Sequence, residues 1–317
     1  MTTNFNSFAA MLTALPTDND CREYLELKRW NGTPVCPHCG VIDTNHYKLN
    51  VKGEFKGLYK CKSCKQRFTV LLGTMFEGSP ISLRKWFIGT FLFSAHKKGV
   101  SSHQLARDLG VTQKTAWFML HRLRLAFTDI NESPLGGGGN IVEADSTVVG
   151  GKVKNMNNRK RKEIAERKRG AYDNKTNVAG FIERNGNIRF DVIDGNEKES
   201  ELVKKHVDTD TLLMTDTGIN YKAVGRDYLG HEMVDHSKSE YVREKVIHTN
   251  TIEGAFSHFD RMVMGTYHSL SPKHLQAYCN ELGFRYNNRK ITDKMRFDMA
   301  LMQTSGAMLN YKTLIAK

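Results

Sequence analysis

His248-Thr249-Asn250-Thr251-Ile252-Glu253-Gly254 is the stretch whose reading decides the fold. Ile252, Phe256, Phe259 and Val263 follow one another at spacings of four, three and four, so Glu253 stands at the head of an amphipathic helix. Two aspartates upstream sit in short apolar runs that read as strands, Ile141-Val142-Glu143-Ala144-Asp145 and Leu212-Leu213-Met214-Thr215-Asp216. Three carboxylates delivered by two strands and a helix suit a pair of divalent cations that support phosphoryl transfer. Each residue also has a plain structural explanation. Asn250-x-x-Glu253 suits a helix start, and Asp216-Thr217-Gly218 suits a turn. Asp145 is harder to explain that way, because a carboxylate inside an apolar strand is costly without a partner. Glu143 shares the strand face of Asp145 and reads as an extra ligand or a supporting group. His236 and His248 read either as orienting groups for DNA or a carboxylate, or as hydrogen-bonded structural histidines.

Working outward, Val178 to Glu183 and Ile188 to Ile193 alternate around Asn185-Gly186, a hairpin signal. A polar helix follows from Glu197 to His206, and after the Asp216 strand come a helix and a strand from Met233 to His236. The order is three strands, helix, strand, helix, strand, helix. That is the order of an α/β ribonuclease-H-like domain, with a mixed sheet flanked by helices and carboxylates on the first strand, the fourth strand and a late helix. Between the first two strands, Lys152 to Arg169 holds nine Lys and Arg against two Glu. It reads as a basic loop gripping DNA, with Lys152, Arg159, Lys160 and Arg161 among its contacts.

The first third of the chain has a different character. Residues 21–125 hold 18 Lys and Arg against 6 Asp and Glu, whereas residues 126–317 hold 29 against 26. Cations so concentrated are the footprint of a nucleic-acid binder, since phosphate contacts supply most non-specific affinity; a merely solvated surface is the bland alternative. Cys36-Pro-His-Cys39 and Cys61-Lys-Ser-Cys64 are separated by 21 residues. Two such knuckles present four thiolates to one structural zinc ion, with strands from Tyr47 to Val51 and Leu58 to Lys60 between them. A redox dithiol is the competing reading. Four thiolates complete the shell without His38, and Cys21 and Cys279 read as small buried hydrophobes. Ahead of the ribbon, Phe8 to Leu15 and Cys21 to Trp30 read as helices.

Beyond it, residues 80–100 form an apolar helix. Ser101 to Leu109, a turn at Gly110, and a helix capped by Thr112 make a helix-turn-helix. Gln113, Lys114 and Thr115 head its recognition helix, and Arg122 and Arg124 extend its cationic reach. Four successive glycines, 136–139, mark residues 131–140 as a linker. The expected organisation is N-terminal helices and zinc ribbon over 1–78, helix-turn-helix over 79–130, linker over 131–140, and the ribonuclease-H-like domain over 141–317. No run of eighteen apolar residues is present, so no membrane span is expected. Residues 1–20 lack Lys and Arg, which argues against a targeting peptide and for an intracellular, cytoplasmic protein.

From about residue 10 to 290 the chain resembles the bacterial insertion-sequence transposases of the Merlin/ISXO-like group. The matching pieces are Trp30-Asn-Gly, the Cys36 to Cys39 knuckle, Gly73-Thr-Met-Phe-Glu77, the Ser102 to Arg124 segment, Val142 to Asp145 with Gly150-Gly-Lys152, Thr215-Asp216, Val234-Asp-His236-Ser, Tyr241-Val242, His248 to Gly254, Gly265-Thr-Tyr-His268 and Phe284-Arg-Tyr-Asn287. The resemblance implies that Asp145, Asp216 and Glu253 form a DDE triad holding two Mg²⁺ (or Mn²⁺). It also implies cleavage at the ends of an element, strand transfer of a 3′-hydroxyl into target DNA, and a homodimer or larger assembly on double-stranded DNA at the nucleoid. Some relatives use Asn as the third residue, which makes Asn250 a rival to Glu253; a carboxylate is the better Mg²⁺ ligand. Two positions depart from the pattern. Ser146 stands where an acidic residue often follows the first aspartate, and Asp260 stands where a lysine is usual, with Arg261 beside it as a substitute cation. The competing readings are a DNA-binding regulator with an inactive nuclease-like domain, and a nuclease that cuts without joining.

Overall fold

The computed structural model describes residues 5–128, 133–151, 153–166, 175–193, 198–217, 224–235, 242–244 and 246–316, omitting the side chains of 155 and 160. The chain divides into two compact units, residues 1–127 together with 290–317, and residues 128–289.

In the first unit, Ser7 caps α1 (Phe8–Ala14) and a Thr17–Asp20 capping box opens α2 (Asp18–Trp30), three residues ahead of the expected start. Strands β1 (Tyr47–Val51), β2 (Glu54–Lys60) and β3 (Arg67–Phe68) form an antiparallel sheet. Tyr59 and Phe68 stack at 5.4 Å, and both meet the edge of Trp30, which fastens the sheet to α2. Next come α3 (Leu83–Ala95), α4 (Ser102–Leu109) and α5 (Gln113–Ala126). α3 is buried on nearly every side, through Trp86, Phe87, Phe91 and Phe93, and a Tyr24–Phe87 edge contact joins it to α2. The ribbon and the helix pair fall within one compact unit, so no boundary falls at residue 78. α4 ends at Gly110, and the Thr112 hydroxyl accepts the Thr115 N–H to start α5.

The second unit is built on a mixed sheet. Its elements are β4 (Ile141–Val149), α6 (Asn158–Glu166), β5 (Thr176–Glu183), β6 (Ile188–Val192), α7 (Glu199–His206), β7 (Leu212–Asp216), β8 (Gly230–Val234), α8 (Asn250–Met262) and α9 (Leu275–Asn287). The strand order is β6-β5-β4-β7-β8, antiparallel through β6, β5 and β4 and parallel through β4, β7 and β8. Alternation along each strand feeds two cores. Val142, Ala144, Phe181 and Leu213 pack with Leu202 and Val203 of α7. Val178, Ile182 and Phe190 pack on the opposite face with Ile252, Phe256 and Phe259 of α8 and Leu282 of α9. Gly180 permits that second packing, because a Cβ there lies 2.9 Å from both the Ile252 and the Phe256 side chains.

Several expectations are corrected. Residues 136–139 are not a slack linker. The amides of Gly137, Gly138 and Gly139 donate to Thr211 Oγ1, Asp210 Oδ2 and the Asp210 carbonyl at 2.9–3.0 Å. A Cβ on Gly136 meets Thr211 Oγ1 at 2.3 Å, so the glycines allow close docking of the strand entrance rather than mobility. Residues 129–132 lie outside the described residues. The basic stretch after β4 contains α6 and is not a plain loop. The helix expected after Asp216 falls largely outside the described residues, apart from a single 3₁₀ turn at Gly225–Asp227. The last strand lies at Gly230–Val234, earlier than expected, in parallel register with β7.

Residues 290–317 do not belong to the sheet unit, so the expected domain 141–317 ends instead at 289. Helices α10 (Asp293–Met302) and α11 (Tyr311–Ile315) join the first unit. The apolar face of α10 supplies the reason: Phe297 is fully buried, 5.6 Å from Phe87 and 5.9 Å from Phe5. Beside it Asp298 accepts Tyr24 Oη at 2.5 Å and Lys28 Nζ at 2.7 Å. No helix among the described residues is long and apolar enough to cross a membrane.

Replacing Gly180 with Val forces α8 off β5. Overpacking of this kind costs about 1–3 kcal/mol, and a lowered urea midpoint of the variant measures it.

Candidate active site and metal centre

The four paired cysteines converge. Cys36 Sγ lies 3.7 Å from Cys64 Sγ, Cys39 Sγ lies 3.7 Å from Cys61 Sγ, and all four sulfurs fall within 4.8 Å of one another. A tetrahedral zinc ion with Zn–S bonds of about 2.3 Å separates its ligands by about 3.7–3.8 Å. The donor set and its spacing therefore fit zinc. Each knuckle is closed by matching backbone bonds, Gly40 N–H to the Cys36 carbonyl and Lys65 N–H to the Cys61 carbonyl. His38 places Nε2 3.1 Å from the Arg67 carbonyl, outside the sulfur cluster. Cys21 and Cys279 are buried elsewhere, and burial pushes the Cys21 thiol up to about 12.

Among the described residues, these cysteines are the one group of three or more His, Cys, Asp or Glu close enough to hold a single ion. Asp145, Asp216 and Glu253 are not gathered at that spacing. Their arrangement follows from the sheet. Ala144 pairs with Thr215 across the parallel β4–β7 ladder, so the next residues, Asp145 and Asp216, stand side by side on neighbouring strands. Strands in such a ladder are about 4.8 Å apart. Both aspartates belong to the α8 face, opposite the face of Ala144 and Leu213. Each is partly exposed, and Asp145 Oδ1 accepts the N–H of Ser146 at 2.7 Å. Glu253 is exposed in the first turn of α8, next to the buried Ile252. Asn250 is also exposed, at the first helical position.

What fixes the start of α8 is Glu143, which is 0% exposed. Its carboxylate accepts the N–H groups of Thr251 and Ile252 at 2.8 and 3.0 Å and the Thr251 hydroxyl at 2.8 Å. Glu143 thus caps α8 from the neighbouring strand. Thr249, at the N-cap position, instead donates its hydroxyl to Glu253 Oε1 at 3.3 Å. Asn250 and Glu253 do not form the reciprocal capping pair that their spacing allows. Glu143 is in turn paired with Arg184 Nε at 2.7 Å. The same guanidinium donates to the carbonyls of Val246 and His248 at 2.7 and 2.9 Å. His248 Nδ1 lies 3.1 Å from Arg184 Nη2 and 3.3 Å from Glu143 Oε1. Sequence reasoning missed Arg184 altogether. The available signal was a buried acidic position in an apolar strand, which demands a cation from somewhere. His236 lies outside the described residues.

The other candidate residues are dispersed. Gln113 and Lys114 are exposed at the head of α5. Gln113 Nε2 donates to Ser102 Oγ at 2.8 Å, Thr115 shares a hydroxyl contact with Thr112, and Lys114 Nζ sits 4.7 Å from the centre of the Tyr311 ring. Arg122 and Arg124 do not reach outward as expected. Arg122 donates to the carbonyls of Met75 and Leu309 at 2.6 and 3.2 Å, and its guanidinium lies 4.7 Å from the centre of the Phe118 ring. Arg124 is 1% exposed, with its guanidinium over Phe93. Arg124 belongs to the packed side of α5 with Leu120 and Leu123, whereas Arg122 is half-buried and held by backbone carbonyls. On α6, Arg159 pairs with Glu163 at 3.4 Å, and Arg161 turns back onto the carbonyls of Met156 and Lys154. Lys152 and the Lys160 side chain lie outside the described residues. Asp260 and Arg261 are exposed in the last turn of α8, and Asp260 stands two turns beyond Glu253.

Comparison with known proteins now identifies the class. Residues 134–287 match the family model of the ISXO2-like transposase domain, and residues 16–67 match that of the transposase zinc-ribbon domain. The first match opens just before the docked glycines and closes at the end of α9. The chain thus carries an ISXO2-like transposase domain and a transposase zinc ribbon, the domains of an insertion-element transposase. A relative from Halobacterium salinarum, described as an uncharacterized protein in transposable element ISH50, is 27% identical over 269 residues, which cover 81% of this chain and 86% of the relative.

The purified protein should carry stoichiometric zinc in elemental analysis. Cys61→Ser opens the tetrahedron and should leave the ribbon substoichiometric in zinc and readily digested by protease.

Proposed function

We propose that this transposase cuts double-stranded DNA at the ends of its element and joins the freed 3′-hydroxyl to target DNA, with Asp145, Asp216 and Glu253 as the catalytic carboxylates. The observation that carries the reading is the β4–β7 register, which sets Asp145 beside Asp216 on the sheet face that α8 covers. The strand order with two antiparallel and two parallel pairings, and carboxylates on its first and fourth strands, supports a ribonuclease-H-like fold for this unit.

The donor set is all oxygen and anionic, which fits Mg²⁺ or Mn²⁺. Two such ions, when bound, activate the attacking oxygen and stabilise the leaving one. Asp145, on the strand between β5 and β7, would hold these ions together with Asp216 and Glu253 or Asn250. Glu253 is preferred to Asn250 because an anionic oxygen holds the hard cation better than an amide. The α4–α5 pair acts as a helix-turn-helix. Gln113, Lys114 and Thr115 at the head of α5 read the groove, and Arg159, Lys160, Arg161 and Arg261 contribute to phosphate contact. Two ends processed together call for at least two copies of the chain.

The test is a cleavage and joining assay on labelled DNA from both flanks of the gene, in Mg²⁺ or Mn²⁺. Wild type is expected to give metal-dependent cuts and joined products. Asp216→Asn and Glu253→Gln should fall to the level of controls without enzyme, and Asn250→Ala should stay active. Cuts without joined products mean a nuclease. Tight binding with no cut in either metal means a regulator. Loss of activity in Asn250→Ala but not in Glu253→Gln exchanges the third ligand.

A further inference from the structure

We infer that Glu143 and Arg184 are positioning residues that set the third metal ligand against the paired aspartates; this rests on the catalytic reading above. Glu143 stands two residues before Asp145 on the same strand face, yet it has no exposed surface with which to meet a metal or DNA. Its oxygens are turned to α8, to Arg184 and to the His248 ring just ahead of the helix. Two consecutive helix amides, one hydroxyl and one guanidinium converge on its two oxygens within 3.0 Å. A carboxylate at a helix start satisfies amides that have no partner inside the helix and also meets the positive end of its dipole. The origin of α8 is thereby tied to β4 itself, the strand that carries Asp145.

Arg184 holds the other side of the same joint. It projects from the β5–β6 turn, and its own N–H donates to the Ile141 carbonyl at the start of β4. Its fork grips Glu143 together with the Val246 and His248 carbonyls, which are the backbone leading into α8. One guanidinium therefore binds strand, turn and helix entrance. Glu253, one turn into α8, has its place relative to Asp145 decided by this joint, because a helix moves as a rigid body over its first turn.

The arrangement also closes an alternative. Amides at a helix start form a ready phosphate site, but those of Thr251 and Ile252 are already taken by Glu143. The start of α8 is organised to aim a carboxylate, not to hold a DNA phosphate.

The test uses full-length Glu143→Gln and Arg184→Lys, with Mn²⁺ binding by calorimetry, kcat and KM for flank DNA, and melting temperature. Groups behind metal ligands typically contribute about ten- to a hundredfold to affinity or rate. That loss is expected in Mn²⁺ affinity and in kcat for Glu143→Gln, with KM for DNA unchanged. Arg184→Lys keeps the charge but loses the fork, and an intermediate loss is expected. If both variants melt lower yet bind Mn²⁺ and turn over like wild type per folded molecule, the pair is merely structural and the inference falls. If Glu143→Gln does not fold, Arg184→Lys decides alone by the same readouts. A wild type that neither binds Mn²⁺ nor cuts DNA overturns the catalytic reading itself, which a loss confined to the variants does not.

Discussion

The second unit depends on one buried carboxylate. Glu143 sits in an apolar strand at 0% exposure, and that is tolerable only because four donors meet it there. Removing one partner of such a buried pair typically costs about 3–5 kcal/mol, since the charge left behind has no compensation. The constraint propagates in both directions. Toward the helix, it forces α8 to begin at Asn250 and lie across β5, which in turn requires Gly180 to lack a side chain. Toward the sheet, it pins the β5–β6 turn through Arg184. The core of Ile252, Phe256 and Phe259 is the consequence of that placement as much as its cause.

Much of the plan was legible in the sequence because it rests on local patterns. The β7 strand runs from Leu212 to Asp216 as its apolar run implied, and β1 from Tyr47 to Val51. The cysteine knuckles declare themselves by spacing alone, since each turn supplies two sulfurs and chemistry demands four. Carboxylates on the first and fourth strands were legible, whereas the parallel register that makes those two strands neighbours comes from the structure. What the sequence concealed is of another kind. Arg184 is 41 residues from Glu143, and nothing local marks it. Gly136 to Gly139 look like slack because glycine suits both freedom and close approach, and only the partner segment at Asp210 and Thr211 tells them apart. Arg122 and Arg124 mislead for a similar reason. A cation in a basic region invites a DNA reading, whereas Arg124, four residues after the buried Leu120, is turned inward and Arg122 is spent on two backbone carbonyls.

Charge alone is therefore a coarse guide within the first unit. The excess of Lys and Arg there is real, but part of it is consumed by the fold. Arg122 braces two backbone carbonyls and Arg22 pairs with Glu26 at 2.6 Å. The cations that remain at the head of α5 are few, and Lys114 rests on Tyr311 of the C-terminal helix.

The closing of the first unit by residues 290–317 has a bearing on biosynthesis. The sheet unit is continuous in the chain, whereas the ribbon–helix unit is made from two segments separated by 162 residues, 128–289. Domains made during translation fold as their residues emerge, and contacts between distant segments are slow to close. Phe297 and Asp298 emerge only after the whole sheet unit, so the core shared with Tyr24, Lys28 and Phe87 stays open until that unit has been made. The ribbon–helix unit, whose two segments flank the sheet unit, is thus completed after it, and a nascent chain holds its sheet unit before it holds a complete ribbon–helix unit.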